Sequence, residues 1–275
     1  MAKILFLETE YGRYRELWYA SCVAKKIAAK CRELGHDVIE ISKPLPSDAN
    51  RVIEKEKPAV CWWTGHGNET TTTLENVKVW ISTTFNTEIL NDVGACALSC
   101  LTGRQLGKFL TTEKKCPAYL GYSNLFWFMW CGDPKYYNCA CMGKNTWGVR
   151  EELWRKIVEC MHESNLYYVL GLAEGKNAGE ADEYSKTRFA YWIEYLEDID
   201  PENATEAAVI KTVIWVLNND KNVQVLHGDP NWKITPPVLI PIEFFVTATV
   251  LLGGMMIGGM LGYSEEIGGM LKLKT

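Results

Sequence analysis

Two short strings hold the residues of this chain whose types and placement could do chemistry: AVCWWTGHGN at 59–68 and ACALSCLTG at 95–103. Each is an apolar run that stops abruptly at a reactive side chain. The first ends in His66 followed by Gly67, the second in Cys100. A buried strand that delivers an imidazole, beside another that delivers a thiol, supplies what a sulfur nucleophile needs. The ring takes or shares the thiol proton, and backbone N–H groups at the strand tips can hold an oxyanion. Taken singly, each residue has an ordinary structural explanation. Free cysteine packs as a small hydrophobe, and a histidine before glycine suits a turn. The pair, on successive strand ends of one sheet, is what points to chemistry.

The elements that must position them alternate between strand and helix over the first 125 residues or so. KILFLE is a β-branched and aromatic run, and YRELWYASCVAKKIAAKCRELG has helical apolar spacing closed by Gly35. HDVIEIS alternates as a second strand, and PAVCWWTG is a continuous apolar run, as a central parallel strand should be. NETTTTLENVKVWISTTF reads as a polar excursion with a short hairpin. GACALSC is then the fourth strand, GRQLGKFLTT a short helix and CPAYLGYS the fifth strand. This is the pattern of an α/β, doubly wound, mostly parallel sheet, whose sites lie at the carboxyl ends of strands near a topological switch point. His66 and Cys100 fall at such ends.

With strand order 2-1-3-4, the end of the first strand lies beside the end of the third. Glu8 or Glu10 could then orient the His66 ring, or both could be solvated loop carboxylates. From about 146 to 218 the chain reads as helical, in TWGVREELWRKIVECMHESNLYYVLG and EADEYSKTRFAYWIEYLEDI, with the charge runs as solvated faces. NVQVLHGDP is a late strand ending in a turn. The remaining histidines, His36, His162 and His227, fall in a turn, a helix end and a Gly-Asp-Pro turn.

A net charge of −5 leaves no electrostatic footprint for nucleic acid. Of the ten cysteines, several sit at core positions, such as Cys61 and Cys96, and so read as reduced and buried. The N-terminus runs straight into a strand and shows no secretory signal pattern, so an intracellular, reducing location is expected. Cys131, Cys139, Cys141, Cys160 and His162 lack the usual ligand spacing for zinc, and no metal or cofactor is expected.

The chain divides into a domain over 1–235 and a hydrophobic tail over 236–275. Within the tail, FFVTATVLLGGMMIGGMLGY at 244–263 is twenty residues without a charge, about one bilayer thickness as a helix. Gly254, Gly258 and Gly262 form overlapping GxxxG spacings suited to close helix pairing. The segment reads as a C-terminal apolar helix anchoring the domain on the cytoplasmic face of a membrane, or as an arm for homo-oligomer assembly.

WWTGHGN resembles the His-Gly signature of the caspase–haemoglobinase fold, shared by caspases, legumain, clostripain and gingipains. SCLTGRQLGKFLTTEKKCPAYLGYS resembles the nucleophile block of gingipain-type cysteine peptidases. It has a Cys, a Gly three residues on, LG opening a helix, and a strand ending in Gly. VLHGDPNWKI is similar to the Gly-Asp-Pro strand that closes their catalytic domains. The three motifs, at 60–68, 99–123 and 223–234, occur in order across most of the chain. The aromatic and cysteine-rich LFWFMWCGDPKYYNCAC matches no known specificity pocket of that family, and no export signal is seen.

The resemblance implies hydrolysis of peptide bonds in a protein or peptide substrate. Cys100 would form a thioester, and His66 would be the proton shuttle that chiefly protonates the leaving amine. The N–H groups of Gly67 and Cys100 would hold the oxyanion. Tyr122, Ser123, Trp127 and Asp133 would shape the primary specificity pocket, an acidic pocket selecting Arg or Lys and an aromatic wall a flatter side chain. The competing expectation is a catalytically idle member of the same fold, a scaffold or assembly subunit using the tail. Intact His66, Gly67 and Cys100 favour the enzyme.

Overall fold

The first strand, β1 (Lys3–Glu8), sits between two parallel neighbours, β2 (Asp37–Ser42) and β3 (Val60–Thr64). In this computed structural model, which describes residues 1–10, 17–128 and 147–234, β3 also pairs in parallel with β6 (Gly94–Leu98). β6 pairs with β7 (Ala118–Tyr122), and β8 (Gln224–Gly228) closes the edge antiparallel to β7. The order is β2-β1-β3-β6-β7-β8. The sequence reversal between β1 and β3 makes the carboxyl ends of those strands the switch point, as expected. The polar excursion forms its own antiparallel ribbon, β4 (Thr71–Leu74) and β5 (Lys78–Ser82).

Helices cover both faces of the sheet. α1 (Trp18–Glu33) and α4 (Glu151–Ala173) lie on one face, over Ile4, Phe6, Trp62, Cys96, Leu98 and Leu120. α5 (Ala178–Glu197) and α6 (Ala204–Val223) join that layer. On the other face, Leu5, Leu7, Cys61, Trp63 and Tyr119 pack on α2 (Pro46–Glu56), α3 (Leu106–Thr112) and the ribbon. Burial of β3 on both sides explains why its sequence is apolar throughout rather than alternating. Its two tryptophans point to opposite cores, and each finds a partner for its N–H. Trp62 donates to Asn165 Oδ1 at 2.9 Å and Trp63 to Thr72 Oγ1 at 2.9 Å. Met1–Thr235 forms one compact unit.

Three expectations need correction. The charges of α4 are solvated as expected at Glu151, Glu152 and Arg155, but Glu163 is buried, together with His162, Ser164 and Asn165. Glu163 is satisfied there by Arg188 at 2.7 Å and Trp192 at 2.9 Å. His162 is mid-helix rather than at an end, its ring stacked on Tyr19 and tilted against Phe128, with neither ring nitrogen hydrogen-bonded. Cys61 and Cys96 are free and buried, as expected, as are Cys31, Cys116 and Cys160; Cys100 is also free, and Cys22 is disulfide-bonded. His227, placed in a turn by its sequence neighbours, is the penultimate residue of β8. Among the described residues no helix is long and apolar enough to cross a membrane. The tail, 244–263 and its glycines included, lies outside them, as do Asp133, Cys131, Cys139 and Cys141.

Candidate functional site

The third strand does not end where its regular pairing ends. The Gly65 N–H still reaches the Leu98 carbonyl at 3.2 Å, which carries the β3–β6 ladder one residue further. His66 then leaves the sheet with its backbone gripped by the ribbon. Its N–H donates to Thr73 Oγ1 at 3.1 Å and its carbonyl accepts from the Thr73 N–H at 2.9 Å. The ring stands at the exposed tip.

Gly67 follows and lies against the Cys100 turn. A Cβ there would stand 2.7 Å from the Cys100 carbonyl oxygen and 2.7 Å from Thr102 Cγ2, and would also strike Ser99 Oγ. Only glycine permits this approach. A relay of hydroxyls backs the contact: Trp63 Nε1 donates to Thr72 Oγ1, which donates to Ser99 Oγ at 3.2 Å. The histidine loop and the cysteine turn are therefore joined by packing and by hydrogen bonds.

The cysteine turn is itself tight. Leu101, directly after Cys100, has φ 62°, a left-handed conformation that costs a leucine roughly 1–3 kcal/mol and persists only when the surroundings enforce it. They do so here: the Leu101 N–H donates to the Asn124 carbonyl, the Gly103 N–H to the Tyr122 carbonyl, and Thr102 Oγ1 to the Ser99 carbonyl at 3.0 Å. Among the described residues, the N–H groups of Gly67 and Cys100 take part in no backbone–backbone hydrogen bond.

His66 and Cys100 both line one cavity of about 40 Å³. Its other described walls include Leu17, Leu98, Phe126 and Phe128, so the side facing the thiol is apolar and aromatic. The half-buried Cys100 thiol donates to the Phe126 carbonyl at 3.8 Å. Burial pushes it above the ordinary thiol range and a nearby Asp220 charge pushes further, against the opposing pull of backbone contacts. At neutral pH the resting group is a thiol, and it must lose its proton during attack.

The other expected residues are placed as follows. Glu8 is fully buried at the end of β1, accepting from Ser42 Oγ at 3.2 Å with Lys25 at 4.0 Å. Burial raises its carboxyl to about 7, and Oε1 has no partner. Glu10 pairs with Lys43 at 3.2 Å. Neither carboxylate is hydrogen-bonded to His66 among the described contacts. Tyr122 faces the core rather than a pocket: it is wholly buried, its hydroxyl accepts from Asn165 Nδ2 at 2.9 Å, and its ring packs on Phe126 at 4.7 Å. Ser123 donates to the Val223 carbonyl at 3.0 Å. Trp127 is exposed, its ring 6.0 Å from that of Trp215. Among the described residues no group of acids, histidines and cysteines is arranged to hold a metal.

Sequence reasoning missed Asp220. It lies near the end of α6, fully buried, and acts electrostatically on both Cys100 and Tyr122. The available signal was phase: Asp220 continues the helical stripe of Val213, Val216 and Leu217, where a carboxylate is out of place.

No protein-family model matches the chain, and no curated protein matches it. The mostly parallel six-stranded sheet flanked by helices is compatible with a caspase-like fold.

Proposed function

We propose that this chain is a cysteine endopeptidase of the caspase–haemoglobinase kind, with Cys100 as nucleophile and His66 as proton shuttle. The observation that carries this reading is the seating of Gly67 on the Cys100 turn. It holds the imidazole strand end and the thiol strand end around one cavity at the switch point of the sheet. The parallel sheet flanked by helices supports the same reading.

In the reaction, the Cys100 sulfur bonds to the scissile carbonyl carbon as its proton passes to the His66 ring. The oxyanion is held by the N–H groups of Gly67 and Cys100. Collapse breaks the C–N bond, His66 returns the proton to the leaving amine, and water then hydrolyses the thioester. The resting thiol suits a mechanism in which proton transfer accompanies attack, rather than one with a stored ion pair. The segment at 244–263 would tether the domain to a membrane. Extraction by alkaline carbonate, beside a chain ending near Thr235, tests that part separately.

One observation favours a second reading. A thiol raised above its usual range and hydrogen-bonded to Phe126 also suits a catalytically idle scaffold. A peptide-library cleavage profile of the wild type beside Cys100→Ala separates the two. Cleavage by the wild type that is lost in the variant supports the peptidase. No cleavage by either, across the library and from pH 5 to 9, overturns it.

A further inference from the structure

The thiol of Cys100 is held by a short segment that has no secondary structure of its own, Leu125–Trp127, and that segment is tied down from α6. The Trp127 N–H donates to Asp220 Oδ1 at 3.0 Å, and Asn219 Nδ2 donates to the Leu125 carbonyl at 3.2 Å. Asn219 Nδ2 also braces Asp220 Oδ1 at 3.0 Å. Between these two ties lies Phe126, whose carbonyl accepts the Cys100 thiol hydrogen and whose ring walls the cavity. Asp220 itself is fully buried, with Oδ2 unpartnered. A helix that needed only a packing residue here would carry an apolar one, as it does one turn earlier at Val216 and Leu217.

We propose that Asp220 is a positioning residue of the Cys100 centre: through Trp127 and Asn219 it fixes the Leu125–Trp127 segment on the thiol. The inference rests on the reading of Cys100 as the nucleophile. Among the described residues, the titratable groups that answer to Asp220 are Cys100, just after β6, and Tyr122 at the end of β7. Its own charge state follows from burial, Trp127 and Asn219. No charged group on α4 or α5, which pack on α6 and carry His162 and Asp182, adds to it. Burial raises the carboxyl to about 8, so it ionises ahead of the thiol and then resists the second negative charge.

The test is the rate at which iodoacetamide alkylates Cys100 in the full chain, followed by mass spectrometry from pH 6 to 10. It needs no peptide substrate, so it stands apart from the peptidase reading. In the wild type, the two opposed ionisations should spread the rate profile over more than a single one-proton titration. In Asp220→Asn, which keeps an oxygen to accept from Trp127, the profile should become a single titration. Its midpoint should fall by about one pH unit, giving about tenfold faster labelling near pH 9, with little change below pH 7. Asp220→Ala should lose the tie as well, and peptide turnover should drop at least tenfold. An unshifted Asp220→Asn profile overturns the inference. If that variant does not fold, a wild-type profile fitting one simple titration overturns it equally. A shifted profile in a chain that cleaves no peptide leaves the inference standing and removes the peptidase reading.

Discussion

Replacing Gly67 by alanine adds one methyl group at the junction of the two strand ends, and its consequence can be worked from the contacts. The new Cβ would lie 2.7 Å from the Cys100 carbonyl oxygen and must move out to at least 3.4 Å, a retreat of about 0.7 Å. Ser99 can give little, because Thr72 holds its hydroxyl. The Cys100 carbonyl is backbone, in a turn already committed to a left-handed Leu101. His66 is pinned from its other side by Thr73. The displacement therefore appears as separation of the imidazole from the thiol. A misplacement approaching 1 Å costs about 10²-fold in rate, whereas overpacking of this size costs about 1–3 kcal/mol of stability.

Gly35→Ala is the matched control. With φ 85° and no atom within 4 Å of the new Cβ, it pays about 1–2 kcal/mol in backbone strain alone, far along the chain from either strand end. Both variants should lose similar stability in urea. Only Gly67→Ala should lose about a hundredfold in kcat/KM on a peptide that the wild type cleaves. If Gly67→Ala keeps turnover within a few-fold of Gly35→Ala, the seating of the loop on the turn is not what brings His66 and Cys100 together.

Three further outcomes follow from burial. Among the free cysteines, Cys61, Cys96, Cys116, Cys31 and Cys160 are buried, with Cys31 and Cys116 pushed up to about 12 by desolvation. Iodoacetamide at pH 8 should thus label Cys100 ahead of the other free cysteines among the described residues, and a heavier mass-spectrometric adduct on any of those five would contradict its placement. His162, neutral and unpartnered, has its ring pushed down to about 3 by burial. The unfolded chain takes up that proton first, so its contribution to stability is complete above about pH 6.5 and falls by a few kcal/mol as pH drops toward 3. His162→Phe should flatten that acid limb in urea titrations, and an equally steep limb in the variant would refute the assignment. Glu8 works in the opposite sense: with its carboxyl raised to about 7, its contribution is complete below about pH 4.5 and is lost as pH rises through 7. Glu8→Gln should match the wild type at pH 4 and exceed it by about 1–3 kcal/mol at pH 8, since one pH unit is worth about 1.4 kcal/mol. Equal urea midpoints at pH 8 would refute it.

What the sequence made legible was whatever depends on local periodicity. β3 and β6 are buried on both faces, so their apolar runs end only where the chain leaves the sheet, and that discontinuity points directly to His66 and Cys100. The hairpin and the late strand were readable for the same reason. Tyr122 was misjudged although its own strand held the answer. Ala118, Leu120 and Tyr122 alternate onto the core face of β7, so the last of them continues inward, and its hydroxyl is met by Asn165 from α4. α4 was misread because a helix packed against α1, α5 and the sheet buries nearly all of its circumference. There a polar run signals internal partners rather than solvent.

Asp220 was harder for a different reason. Its phase on α6 marks it as a carboxylate on a buried stripe, but phase cannot say what the stripe faces. That depends on α6 crossing back to place its end beside the turn after β7, a contact between segments far apart in the chain. A buried acid that satisfied only itself would be a pure cost to stability. This one holds the segment that holds the thiol, and its charge acts on Cys100.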